Sequence, residues 1–250
     1  MRIPRIFTPQ ELHSNSVITL DSAASHYLTR VLRMQAGREL VLFNGQGGEF
    51  SARIESLDKQ CASVVCLHKV ELNRDSPLQI ELVIGISRGE RMDWILQKAT
   101  ELGVSHIQPV FSARTEVRLK GDRLQKKLLH WQQILISACE QCQLNIVPKL
   151  IAPVNLEDYC RDKANAQLKF VLHHRTDQSL AALNKTLQQP PSSVVLLVGP
   201  EGGLSEDEIS LALDNNFKPL KLGPRVLRTE TAPIVALSVV QQLWGDLNDI

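Results

Sequence analysis

Aromatic side chains are scarce in this chain: 2 Tyr, 6 Phe and 3 Trp make up 4% of its 250 residues. A platform on which loose single strands of nucleic acid stack base after base needs more of them. An excess of charge of one sign is also missing, with 28 Lys and Arg against 27 Asp and Glu. Any binding of a polyanion must therefore come from local clusters, not from the total. No segment approaches the roughly 18 uninterrupted apolar residues of a membrane helix. Met1-Arg2-Ile3-Pro4-Arg5 lacks the apolar core of a signal peptide, so the expectation is a soluble, cytoplasmic protein. The five cysteines, Cys61, Cys66, Cys139, Cys142 and Cys160, are few and odd in number, which favours reduced thiols over a disulfide framework. Nothing repeats at a fixed period, which excludes a solenoid.

What the chain does have is ample core material, 43% apolar residues, arranged in two differently patterned regions. Polar turn residues at Asn73-Arg74-Asp75-Ser76-Pro77 separate them, giving expected domains of 1–72 and 73–250. Before the boundary, short runs at Val17 to Leu20, Glu39 to Phe43, Glu49 to Ile54 and Ala62 to Leu67 predict a small β-rich domain, with one helix at Ala23 to Leu32. After it, apolar strands at Ile80 to Ile86, Ile107 to Phe111, Leu168 to Leu172 and Val194 to Val198 alternate with helical patterns at Met92 to Leu102, Leu124 to Cys139 and Glu206 to Leu213. That alternation predicts an α/β fold with a parallel sheet covered on both faces.

Two loops stand out. The run Val194 to Leu197 leads into Gly199-Pro200-Glu201-Gly202-Gly203, and Ser205-Glu-Asp-Glu208 then forms the S/T-x-x-E box that starts a helix. A ligand can approach such a backbone closely, at the place where open α/β sheets bind theirs. The spacing does not match G-x-G-x-x-G, Glu201 would face a pyrophosphate with like charge, and the Lys-Ser/Thr of a Walker loop is absent. By itself the loop is equally well read as a tight turn. The second loop, Leu222-Gly223-Pro224-Arg225-Val226-Leu227-Arg228-Thr229-Glu230-Thr231, lies between a short strand near Lys218 to Leu222 and an apolar helix over Ala232 to Leu243.

Taken with Ser87-Arg-Gly-Glu-Arg91, Gln97 to Val104 and Ala138-Cys-Glu-Gln-Cys142, the paired loops resemble the RsmE family over nearly the whole chain. These are SPOUT-class enzymes that use S-adenosylmethionine to methylate a uridine at N3 in 16S ribosomal RNA of the 30S subunit. The resemblance implies a PUA-like β-barrel first domain, a trefoil-knotted α/β second domain and a homodimer. It also implies a cofactor pocket built from Leu172 and His173, from Gly199, Glu201 and Gly202, and from Leu222, Gly223 and Leu227. One departure is visible: the family's Glu-Gln motif usually continues with Gly and Arg, where this chain has Gln143 and Leu144.

The chemistry selects two further residues. Attack by uridine N3 requires its proton to leave or the developing anion to be held by a fixed cation. Arg228, with its planar permanent charge, fits that role, and Glu230 is placed to orient it or take the proton. The alternative is an Arg228–Glu230 ion pair that only braces the loop.

Residues Arg114 to Lys127 carry six basic and two acidic side chains. Arg118, Lys120, Arg123, Lys126 and Lys127 suggest a phosphate track, which Arg88, Arg91, Arg30 and Arg33 would extend, although such a run also suits a solvated helix face. Cys139-Glu-Gln-Cys142 falls near a helix end, where no dipole activates a thiol, and reads as structural; no metal site is expected. Two other functions remain open: a non-catalytic ribosomal RNA-binding protein, and a SPOUT methyltransferase acting on another RNA position.

Overall fold

The computed structural model describes residues 3–58, 61–117, 119–164, 166–173 and 175–247. The chain divides into two compact units, residues 1–75 with 136–147, and 76–135 with 148–250.

In the first unit, β1 (Arg5–Phe7), β2 (Val17–Leu20), β3 (Glu39–Phe43), β4 (Glu49–Leu57) and β5 (Ala62–Val70) form one sheet in the order β1-β3-β4-β5-β2. The β1–β3 pair is parallel and the others antiparallel. Alternation along β4 sends Phe50, Ala52 and Ile54 into a core with Ile18, Leu28, Leu40, Leu42 and Val64. Helix α1 (Ser22–His26) starts where the Asp21 carboxylate accepts the Ala24 N–H. The expected α-helix to Leu32 instead widens into a π-helical turn over Tyr27–Val31, closed by Leu32 N–H to the Tyr27 carbonyl at 2.9 Å. A buried ionic cluster braces the unit. Arg5 donates to Glu49 and to Asn145 Oδ1 (2.7 Å), and Arg74 donates to the same Glu49 at 3.1 Å.

The second unit contains β6 (Gln79–Gly85), α2 (Glu90–Glu101), β7 (His106–Phe111), α3 (Gly121–Cys142, whose last turns belong to the first unit), β8 (Lys149–Leu150) and β9 (Val154–Asn155). Then come α4 (Leu156–Asp158), β10 (Leu168–Leu172), α5 (Leu180–Asn184), β11 (Ser193–Val198), α6 (Glu206–Asp214), β12 (Lys218–Leu220) and α7 (Ala232–Trp244). Its seven-stranded sheet runs β12-β10-β11-β6-β7-β8, with β9 also on β7, and every pairing is parallel. Strands β6 and β11 are apolar nearly throughout because both faces are covered. Helix α7 packs on α2 and β11. Its buried Gln241 donates to the Leu102 carbonyl (2.8 Å) and accepts from Ser76 Oγ (2.8 Å), so an amide sits in the core with its polar atoms satisfied. Among the described residues no helix is long and apolar enough to cross a membrane.

Candidate active site

Three neighbouring strands, β12, β10 and β11, end side by side, and the loops that follow them enclose a cavity of about 340 Å³. The C-terminal edge of a parallel sheet is the ordinary ligand position in such folds, and the size lies within the roughly 300–1,000 Å³ of small-molecule sites. All the expected cofactor residues line it: Leu172 and His173 after β10, Gly199, Glu201 and Gly202 after β11, and Leu222, Gly223 and Leu227 after β12. The His173 N–H donates to the Leu220 carbonyl at 3.0 Å, which extends the β10–β12 pairing to the cavity rim. The N–H groups of Leu222 and Leu227 meet no acceptor among the described residues, leaving backbone donors for a ligand.

Each loop has a physical reason for its shape. Gly199 cannot carry a side chain, since a Cβ would stand 2.9 Å from the backbone of Gly203 and Leu204. Gly223 has φ +99° and open space beside it, a conformation that L side chains rarely adopt. The capping box forms as its sequence demands: Ser205 Oγ accepts the Glu208 N–H at 3.2 Å, and Glu208 Oε2 accepts the Ser205 N–H at 2.8 Å. Glu208 Oε1 also accepts the Ala113 N–H at 2.7 Å, pinning the loop after β7 against α6.

Two arginines that sequence reasoning left out of the pocket touch it. Arg114 donates to the Gly202 carbonyl at 2.7 Å, and Arg175 pairs with Glu206 at 3.1 Å. Arg114 carried a visible signal, its place in the basic run, but only the fold turns it away from that run and onto the glycine loop.

Arg91 is placed differently from the expected phosphate contact. Its Nη1 lies 3.1 Å from Glu201 Oε1 and its Nε 3.9 Å from Glu230 Oε2, so it links the two loops from the first turn of α2. Burial pushes the Glu201 carboxyl up, but the Arg88 N–H and the Arg91 guanidinium outweigh it and hold the group below the usual glutamate range. Arg228 is exposed between the cavity-lining Leu227 and Thr229, and among the described residues it makes no ion pair. The bracing Arg228–Glu230 pair is thus not present, because Glu230 turns to Arg91.

The remaining basic residues fall in different places. Arg88, Arg123, Lys126 and Lys127 line a second groove of about 900 Å³. Lys120 is exposed outside that lining, Arg30 and Arg33 are exposed in the first unit, and Arg118 lies outside the described residues. None of the five cysteines forms a disulfide; burial first, then Cys142, pushes the Cys139 thiol up to about 12, consistent with a structural thiol at the end of α3. No cluster of His, Cys, Asp and Glu among the described residues could hold a metal.

Comparison with known proteins decides the family. Residues 74–241 match the description of an RNA methyltransferase domain, and residues 20–65 that of an RNA methyltransferase PUA domain. The chain belongs to the ribosomal RNA small subunit methyltransferase E family. A member from Buchnera aphidicola subsp. Schizaphis graminum is 37% identical over 247 residues, 99% of each chain. Among solved structures, a ribosomal RNA small subunit methyltransferase E from Neisseria gonorrhoeae, bound to S-adenosyl methionine, superposes with a TM-score of 0.91 at 38% identity, covering 98% of this chain and 100% of that one. A methyltransferase from Legionella pneumophila in complex with bound SAM gives a TM-score of 0.93 at 43% identity, with coverage of 98% and 100%. These matches agree with the α/β architecture and with the PUA-like assignment of the N-terminal sheet, and the methyltransferase reading of the loops stands.

Proposed function

We propose that this family member transfers the methyl group of S-adenosylmethionine to N3 of a uridine in 16S ribosomal RNA of the 30S subunit, giving 3-methyluridine. The observation that carries the reading is the cavity at the ends of β10, β11 and β12, whose lining contains every expected cofactor residue. Its leucines and valines, its backbone donors and its glycine-opened approach suit an adenosine with a short charged tail. When bound, the cofactor supplies an electrophilic methyl on a sulfonium sulfur.

The chain's own residues then have distinct tasks. The cavity walls orient the methyl toward the second loop and exclude water. Arg228 hydrogen-bonds a uracil carbonyl and steadies the negative charge that grows as N3 loses its proton. Glu230, whose side chain is 25% exposed in the second loop, would accept that proton as the methyl's bond to the sulfonium sulfur is exchanged for one to N3, with Arg91 holding its carboxylate in place. RNA would be held by Arg88, Arg118, Lys120, Arg123, Lys126 and Lys127, with Arg30 and Arg33 of the PUA-like unit extending the footprint. We also propose the trefoil-knotted path, cytoplasmic location and homodimer that the family implies.

The test is transfer of labelled methyl to small subunits that lack the modification, followed by digestion and mass spectrometry of the nucleosides. Labelled 3-methyluridine is expected. A different labelled nucleoside, or bound cofactor with no transfer, would overturn the assigned acceptor.

A further inference from the structure

The groove beside the cavity is built from the loop after β6, from Glu116, Val117 and Leu119, and from the first half of α3. Its cations are unevenly occupied. Lys127 Nζ and His130 Nε2 both lie on Asp93, at 3.2 and 2.7 Å. Arg123 and Lys126 are exposed and, among the described residues, have no anionic partner. Arg88 Nη2 meets Glu116 Oε2 at 2.8 Å, with both side chains about two-thirds exposed, at 64% and 66%. Among the described residues that line the groove, Trp131 is fully buried and the half-exposed His130 is held on Asp93.

We propose that this groove takes the backbone phosphates of an RNA strand next to the modified nucleotide, and that Glu116 stands on Arg88 in place of a phosphate until the strand arrives. The proposal rests on the reading of the cavity as the methyl-transfer site. Continuity supports it: the Arg88 N–H donates to the cavity-lining Glu201 at 3.0 Å, so a strand in the groove passes one residue from the cavity wall. Energetics allow the exchange. An exposed ion pair is worth about 0–1 kcal/mol, whereas a phosphate offers the guanidinium a bidentate partner and releases counterions. Phosphate contacts carry no sequence information, so what these cations recognise is the backbone.

The experiment measures binding of small-subunit ribosomal RNA transcript by the full chain as a function of salt, for wild type, Arg123→Ala/Lys126→Ala and Glu116→Gln. Losing two phosphate contacts should reduce the slope of log affinity against log salt by about 1.4, at ~0.7 per contact. Glu116→Gln should tighten binding about two- to fivefold, because the competing anion is gone. An unchanged slope in the double variant, or unchanged or weaker binding by Glu116→Gln, would overturn the proposal. If the alanine variant melts early, Arg123→Gln/Lys126→Gln is read by the same criterion. Methyl transfer to small subunits that lack the modification separates the two claims. A responsive slope without transfer in the wild type keeps the groove and rejects the enzymatic reading, and transfer with an unresponsive slope does the reverse.

Discussion

At the scale of single residues, Glu230 and Gln143 show how place decides role. Glu230 is in the loop that meets the cavity and faces Arg91 across 3.9 Å. Glu230→Gln keeps the shape and removes the proposed proton acceptor, so the single-turnover rate of methyl transfer should fall about 10²–10⁴-fold with cofactor affinity unchanged; equal loss of both would make Glu230 a binding residue. Gln143 ends α3 with φ +70°, where the family usually has glycine. A side chain in that conformation costs about 1 kcal/mol, so Gln143→Gly should raise the melting temperature, as scanning calorimetry would show. Leu144, in place of the family's arginine, is 8% exposed and packs with Phe43 and Cys139, so its own side chain brings no charge to the surface. The loop glycines that line the cavity were legible because unusual residues cluster over a short span of sequence. Arg91's position between Glu201 and Glu230 was not, since the three come together only when β6 and β11 pair and α2 follows.

Elements follow the same division. Strands and helices with a full period of apolar residues, such as β3, β10, α6 and α7, begin where their sequence signals put them. Strand β1 is too short for a period, three residues between Pro4 and Pro9, and owes its existence to the edge of β3 that it joins. Strands β8 and β9 are likewise two-residue additions to β7. The π-helical turn at Tyr27–Val31 carries a helical pattern, and the pattern does not distinguish an i→i+5 ladder from the usual one. Gly85, at the end of β6, is where the glycine loop crosses closest: a Cβ there would stand 2.4 Å from Pro200 Cδ and 2.5 Å from its nitrogen. Gly85→Ala should cost about 1–3 kcal/mol and weaken cofactor binding, because the loop must lift. Calorimetric titration that finds wild-type affinity and stability would show that the loop moves aside freely.

For the whole molecule, the two-unit plan was legible in its polar boundary, but the return of residues 136–147 to the first unit was not, since α3 continues across without punctuation. That return supplies Asn145 to the buried Arg5–Glu49 cluster. Burial pushes Glu49 up, but Arg5 and Arg74 outweigh it, and its carboxyl is held below the ordinary 4.5. A depressed native value stabilises the fold above the unfolded value and is lost as pH falls through the native one. Acid unfolding should therefore set in below pH ~4.5, and Glu49→Gln should lose about 3 kcal/mol at neutral pH and show a flatter acid limb in denaturant titrations. In the proposed reading the residues lining the cavity hold the cofactor, while Arg228 of the second loop acts on the RNA. Arg228→Ala tests it most directly, with S-adenosylmethionine affinity and single-turnover methyl transfer to unmodified small subunits measured side by side. Unchanged affinity with transfer reduced about 10²–10³-fold is the expected result; transfer at the wild-type rate would contradict it.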